Sequence, residues 1–569
     1  MRNIFAILFF NLLVQQFFAQ SLQVIETYPV AQSMTASPTG EFLITFNQTP
    51  DMLTINDGTF RVFGKWSGPM EGIFALDAGT NTVKFTPQRP LFYGEWVSVR
   101  LSSDILSSGG TQLISGYSFE FWTMALPASL DLEYGGQINM RLSGEGPLTC
   151  YGAYAGDVNN DEFSDLVVIT EDSDDIRVMI SDGSLGYEPF VIIEMPPGLG
   201  PSTNEGADFN RDGLIDMAIG STYSNNVNIQ VGDPVTFFNT QLNYPVSEGV
   251  RGIAVADLNG DGWDDIITAN RFDSNISILI NDGNGFFEPA INIDSGFQGE
   301  TSIAATDLNA DGFTDLLVAT HEDNHVVSLL NDGTGNMTVA SSTMVGDGPW
   351  MIAIGDINGD GYADAITANR HTDDVSVVFS DGSGGLELDT HYSVNDFPVA
   401  VDLGDIDGDG DLDFISSNVL GGDYTLMEND GTGQFINERV YPSPDMSACA
   451  VIHDRNNDGA MDITMIDEAA DVVILYNNAL LLDNEDHPLE QNLILYPNPF
   501  KDNIFLSGKG NDQAQLELYD MNGRLLVSKD ISLINNVDFS HLDLSDGTYI
   551  AKVYMNNTMQ QFKLIKITH

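Results

Sequence analysis

The chain has 569 residues, with 83 acidic against 21 basic side chains and a formal net charge of −62. A surface that acidic repels phosphate backbones and anionic bilayers, which excludes nucleic acid and anionic membrane as general partners. The length calls for several domains, and the only two cysteines, Cys150 and Cys449, belong to no metal or nucleophile motif.

The N-terminus reads MRNIFAILFFNLLVQQFFAQS: Arg2, an apolar run, then small or polar residues from Ala19 to Ser21. This is the pattern of a secretory signal peptide over residues 1–20, cleaved near Ala19 or Gln20, with an uncleaved anchor as the alternative. No later segment approaches the roughly 20 apolar residues of a spanning helix, so no transmembrane segment is expected in the mature chain.

Residues 22–125 alternate apolar and polar side chains in FLITFNQ from Phe42, TVKFTP from Thr82, WVSVRLS from Trp96 and YSFEFWT from Tyr117. Strands of this kind over about 100 residues suit a β-sandwich. The closing pattern resembles the bacterial Ig-like domain, which implies a spacer more often than a site.

From residue 126 to 480 the chain repeats itself. A nine-residue pattern, D-x-[DN]-x-D-[GE]-x-x-D, begins at Asp157, Asp208, Asp257, Asp307, Asp356, Asp405 and Asp454, in steps of 49 to 51 residues. The third copy shows the unit: GIAVA before Asp257, DIITA from Asp265, NISILIN from Asn275 and FFEPAINI from Phe286, four strands with an Asn281-Asp282-Gly283 hairpin between the last two. Four antiparallel strands per repeat of about 50 residues is the signature of a β-propeller, and seven copies lie within its usual range. The seventh copy ends after its third strand, DVVILYN from Asp471, so residues near Leu132 to Leu142 are expected to close the ring. Closure also removes exposed sheet edges.

Carboxylates at positions 1, 3 and 5 of such a loop turn inward, position 7 offers a carbonyl, and the Asp at position 9 can bind through two oxygens. Six or seven hard oxygens suit Ca²⁺. The candidate metal ligands are Asp157, Asn159, Asp161 and Asp165; Asp208, Asn210, Asp212 and Asp216; Asp257, Asn259, Asp261 and Asp265; and Asp307, Asn309, Asp311 and Asp315. The remaining three loops add Asp356, Asn358, Asp360 and Asp364; Asp405, Asp407, Asp409 and Asp413; and Asp454, Asn456, Asp458 and Asp462. About seven structural Ca²⁺ ions are expected. Position 6 is Gly in six copies and Glu162 in the first, which makes the first site the weakest candidate. Solvated Asx turns are the metal-free alternative.

The stretch DLNGDGWDDIITANRFDSNISILINDGNGFFEP resembles the FG-GAP/VCBS repeat of integrin alpha-chain propellers and of secreted bacterial proteins. The resemblance implies a calcium-stabilised seven-bladed propeller used in adhesion or glycan binding. Similarity to a fungal lectin of seven-bladed type implies that sugars can bind between blades. If the ring closes, Cys150 and Cys449 sit on neighbouring blades, where either a disulfide or two buried thiols fits.

Loops and NDG hairpins are placed at one end of the ring, and the other end varies. Six residues past each final loop Asp stand Glu171, Thr222, Arg271, His321, Arg370, Val419 and Glu468, basic on one side and acidic on the other. With Arg251, Phe272 and Trp350 on nearby connections, Arg271, His321 and Arg370 form the candidate ligand site, for a glycan or an acidic protein segment bound through Arg forks and aromatic stacking.

After an acidic linker over residues 481–493, the tail 494–569 reads LILYPNPFKDNIFL, LELYDMNGRLLVSKDI and LDLSDGTYIAKVYMNN. This resembles the type A sorting domain of type IX secretion, built as a small β-sandwich. The resemblance implies that machinery as partner and location outside the cell or on its outer-membrane surface. The chain thus reads as all-β, a seven-bladed propeller between an N-terminal Ig-like β-sandwich and a C-terminal one. Its expected role is a non-enzymatic binding or adhesion module for glycan or protein. A polysaccharide lyase or hydrolase is the alternative, although no G-x-S-x-G or H-E-x-x-H motif marks catalytic residues, and a surface-layer component is a third reading.

Overall fold

Turn signals every 8–12 residues leave no room for long helices. The computed structural model describes residues 21–481 and, within 494–566, seven strands with short connecting stretches. Strands dominate both parts; one 3-10 turn, Met52–Thr54, interrupts them. No helix among the described residues is long and apolar enough to cross a membrane. The predicted signal peptide lies outside the described residues, as do the linker, apart from Leu481, and most of the YPNP opening of the tail.

Two units are distinguished, Met1–Leu481 and Leu482–His569. In the first, the four predicted N-terminal strands form as Phe42–Phe46, Thr82–Pro87, Trp96–Leu101 and Tyr117–Trp122. They divide between two four-stranded sheets packed through Phe42, Phe60, Phe85, Phe119 and Phe121. Inward residues of these strands alternate with outward ones, so burying a shared aromatic core holds the sandwich together.

From Cys150 onward four consecutive strands pair in chain order: Cys150–Gly156, Asp165–Thr170, Asp175–Met179 and Val191–Glu194. Five more sheets follow the same order. A seventh, of Ser447–His453, Asp462–Asp467 and Val472–Asn477, takes its fourth strand from Glu133–Asn139. The first strands of successive sheets touch in order, and that of the first sheet touches that of the last, so the sheets form a ring of blades. Closure is clamped by the Arg141–Asp471 ion pair and by the Met140 N–H on the Asp471 carbonyl at 2.9 Å. In blade 3 the fourth strand is only Ile291–Ile293, shorter than FFEPAINI suggests; Phe287 makes an isolated bridge to Asn281, and Pro289 has no N–H to continue the ladder.

Both cysteines are buried free thiols on the innermost strands of blades 1 and 7, and burial pushes the Cys449 thiol up to about 12. The second unit has a three-stranded sheet, Ile494–Tyr496, Asn503–Ser507 and Asn536–Asp538, and a four-stranded one, Leu525–Ser532, Gln513–Asp520, Gly547–Met555 and Thr558–Lys566. Ile504 and Val537 of one sheet share a core with Leu516, Leu518 and Ala551 of the other, the predicted sandwich.

Candidate functional site

The seven acidic loops share one geometry. In each, the backbone turns left-handed at position 4 and again at position 6, where glycines stand at φ between 84° and 97° and Glu162 at 69°. Only glycine takes that turn without a Cβ penalty, which explains the Gly of the pattern and marks Glu162 as strained. The position 1 carboxylate accepts the position 6 N–H in every loop, as Asp356 does from Gly361 at 2.8 Å and Asp454 from Gly459 at 2.7 Å. Asn159, Asn210, Asn259, Asn358 and Asn456 at position 3 donate to the position 5 aspartate, as Asn159 does to Asp161 at 2.9 Å.

Position 9 has work independent of any ion. Asp165 accepts N–H from Val158 at 3.2 Å on one oxygen and from Ser181 at 2.9 Å on the other. All six other blades repeat this pair, for example Asp413 with Ile406 and Asn429. This residue ties the end of the inner strand to the outer hairpin. Burial, more than any neighbour, pushes Asp165, Asp216 and Asp364 up to about 8. Hairpin asparagines add a stitch between blades: Asn331 Nδ2 donates to Leu258 O of the preceding loop at 2.8 Å, and Asn281, Asn429 and Asn478 do the same.

Blade 6 differs. Its third position is Asp407 rather than Asn, and Asp405, Asp407 and Asp409 bring carboxylate oxygens within 4.8 Å of one another. Asp405 is 2% exposed, yet its Oδ1 has no hydrogen-bond partner among the described residues. A dense set of hard oxygens with one orphaned acceptor fits a divalent cation.

The Ig-like domain sits on this loop end. Trp66 O accepts from Asp157 N, Ser103 N donates to Gly260 O, Ser118 N to Gly312 O, and beyond the domain Leu126 N donates to Gly459 O and Ala128 N to Asp407 O, at 2.7–2.9 Å. Its role is therefore more than spacing. Together with Lys65, Phe63 and Trp122 it closes one end of the central channel, a cavity of about 320 Å³ walled by inner-strand residues of all seven blades. Burial works against the Lys65 ammonium, but the charges of Asp402 and Glu205 outweigh it and raise its pKa.

A repeated irregularity furnishes the opposite end. Every inner strand carries a β-bulge at its second residue: Tyr151, Ser202, Arg251, Thr301, Trp350, Val399 and Ala448. Bulges re-aim side chains, and these surround the mouth. The residues predicted six past each loop form a second ring, because each donates its N–H to the connection before its own inner strand, as Arg271 does to Gly249 O at 2.9 Å and Arg370 to Gly348 O at 3.1 Å.

These rings bring the predicted ligand residues together around Trp350. The guanidinium carbons of Arg370, Arg271 and Arg251 lie 4.0, 4.9 and 5.6 Å from its ring centre, and His321 packs edge-on at 5.4 Å. Arg271 is already paired, donating to Glu322 at 2.9 Å, and Arg251 lies 3.7 Å from Glu171. Among the described residues Arg370 makes no ion pair and its buried Nε has no partner; its guanidinium carbon also lies over the Phe397 ring, 4.1 Å from the centroid. Burial brings its pKa down to about 10 and that of His321 to about 4, so the imidazole is neutral at pH 7. Phe272 stands on the rim, 53% exposed. Sequence spacing missed Tyr151 and Phe397; the bulge that aims Tyr151 has no residue signature, whereas Phe397 replaces glycine at a left-handed position, φ 62°, which was a readable signal.

Fold and loops together define a multidomain β-propeller protein of acidic-loop repeats with an export tail. Residues 157–219, 208–268, 257–318, 307–367 and 356–416 each match the FG-GAP-like repeat, residues 19–123 the bacterial Ig-like domain, and residues 494–567 the secretion system C-terminal sorting domain. The chain therefore carries five FG-GAP-like repeats between an Ig-like domain and a type IX sorting domain, which implies secretion to the cell surface or the extracellular space. The comparison with curated proteins gives no match. Among solved structures, the chain is similar to BBS1N in complex with ARL6DN (TM-score 0.45, 10% identity, 62% of this chain and 99% of that one). It is also similar to an Agrocybe aegerita lectin that recognises non-reducing terminal N-acetylglucosamine (TM-score 0.37, 16% identity, 68% and 90%).

Proposed function

We propose that this protein is a non-enzymatic binding module, exported behind a signal peptide and displayed outside the cell, whose channel mouth takes an anionic group of a glycan or protein ligand. The observation that carries the reading is Arg370, close over the rings of both Trp350 and Phe397 and without an ion-pair partner among the described residues, in a chain of net charge −62. A planar cation fixed on aromatic faces is preorganised for carboxylate or sulfate oxygens. A glycan array and a cell-adhesion assay with the purified chain test it: binding to acidic glycans that Arg370→Ala abolishes supports the reading, and binding indifferent to that change ends it.

The acidic loops are read as structural Ca²⁺ sites, in which the ion would neutralise carboxylates that otherwise repel one another. Position 1, 3 and 5 side chains would hold it. Melting with calcium and with chelator is the check; identical midpoints would remove the cation from the account.

One observation favours a second reading, glycan hydrolysis. Glu468 at the mouth is pushed up to about 7 by burial and by Glu171, the environment of a general acid. Release of reducing ends that Glu468→Gln abolishes, with ligand binding kept, would select that reading instead.

A further inference from the structure

Arginines are distributed unevenly over the seven loops. Arg89 Nη1 lies 3.1 Å from Asp157 Oδ2 in blade 1, and Arg61 Nη2 lies 3.3 Å from Asp208 Oδ2 in blade 2. Arg100 Nη1 reaches Asp264 Oδ1 in blade 3 at 2.5 Å, next to the position 9 Asp265, and Arg211 stacks on Trp263 of the same loop at 3.5 Å. In blade 7, Arg455 occupies position 2, fully buried, 3.9 Å from the position 9 Asp462 and bonded to Asn477. Three of these five side chains come from the Ig-like domain. Among the described residues no arginine or lysine forms an ion pair with a loop carboxylate of blades 4, 5 or 6.

We infer that guanidinium groups stand in for divalent cations at the loops of blades 1, 2, 3 and 7, so that the chain takes up ions at blades 4, 5 and 6 only. An ion on the free lone pair of Asp157 or Asp208 would sit a few ångströms from a guanidinium held by the same carboxylate, and like charges at that range in a partly buried site disfavour each other. In blades 1 and 2 the guanidinium meets the position 1 carboxylate itself, in blade 3 it meets the position 8 Asp264 beside the ligand set, and in blade 7 it lies by the position 9 Asp462. Where arginine is absent the charge is open, most plainly in blade 6: the position 1 Oδ1 accepts the position 5 N–H in the six other blades but is orphaned at Asp405, and Asp411 Oδ1 is buried without a partner beside it. Ion pairing by the Ig-like domain's arginines and ion uptake therefore draw on different loops, although the domain also meets the blade 4 loop through the backbone bond from Ser118 N to Gly312 O.

This inference rests on the cation reading above, and one measurement separates the two. Native mass spectrometry of the full chain, equilibrated with Ca²⁺ and exchanged into volatile buffer, counts the ions held. Three per chain are expected, two after Asp405→Asn with Asp407→Asn, and five after Arg61→Ala with Arg89→Ala. Asp157→Asn and Asp208→Asn, which leave the arginines in place, should keep all three. Seven ions on the unaltered chain, or loss of an ion with either of those asparagine variants, overturns the inference while the cation reading stands. No ion on any variant overturns both.

Discussion

The indole Nε1 of Trp350 donates a 2.9 Å hydrogen bond to the phenolic oxygen of Tyr151, joining blade 5 to blade 1 across the channel mouth. Tyr151→Phe removes that acceptor and leaves a part-buried N–H unpaired, a loss of about 1 kcal/mol. Urea unfolding should show it, and ligand affinity should fall too, because Trp350 is then free to leave the face on which Arg370 rests.

The three mouth arginines are not equivalent. Arg271 is bound to Glu322, whereas Arg370 lacks an ion-pair partner among the described residues. Arg370→Ala should weaken binding of an acidic glycan by tenfold or more, about 1.4 kcal/mol, and Arg271→Ala by much less, read by calorimetry side by side. Arg370→Lys should not restore it, since an ammonium cannot stack as a planar fork over two rings.

Ligand binding should tighten as pH falls through about 7. Glu468, raised to about 7 by burial first and Glu171 second, faces Asp467, Arg370 and Arg251. Below that pH it is neutral and no longer competes for the arginines; above it the carboxylate repels an anionic ligand. Affinity measured from pH 5.5 to 8.5 should lose this step in Glu468→Gln.

Gly361 stands at φ 92° with nothing within 4 Å of where a Cβ would lie. Gly361→Ala therefore isolates backbone strain from crowding and should cost about 1 kcal/mol or slightly more. Glu162→Gly at the matching position of blade 1 should stabilise by a similar fraction, since φ there is 69°. Thermal denaturation of the two variants should move in opposite directions.

Asn331 donates to Leu258 O and Thr314 O and accepts from Gly333 and Gly335. Asn331→Ala strands these buried groups and should cost about 2–3 kcal/mol. Asn331→Ser should be milder, because Ser181 and Ser380 hold the equivalent place in blades 1 and 5, where Gly183 N and Gly382 N still find the hydroxyl.

The ring was legible because its period lies in the residues themselves. Asp at positions 1 and 9 and Gly at 6 are each demanded by backbone geometry, so in-phase recurrence reports the fold directly. The strand missing from the seventh repeat was legible by the same count, and Glu133–Asn139 fills it. The two roles of position 9 were not: spacing shows that a carboxylate is wanted, but not that backbone N–H groups take both its oxygens. Nor could spacing show that Arg61, Arg89 and Arg100, on an Ig-like domain of ordinary pattern, meet loops more than 60 residues away in the chain. Contacts between domains leave no period to read. At the mouth, counting from the loops placed Arg271, His321 and Arg370 on one ring, while the bulges that aim Tyr151 and Trp350 are set by strand pairing.

The last blade shares its outer strand with the start of the propeller, and a bridge from Ala128 to Leu480 lies just beyond that pairing. Tension on the chain beyond Leu481 would reach the wheel at this seam, through the rungs between Val472–Asn477 and Glu133–Asn139. Load arriving along the chain from Leu481 would thus meet blade 7 first, where Val472–Asn477 is laced on both edges, to Asp462–Asp467 on one and Glu133–Asn139 on the other.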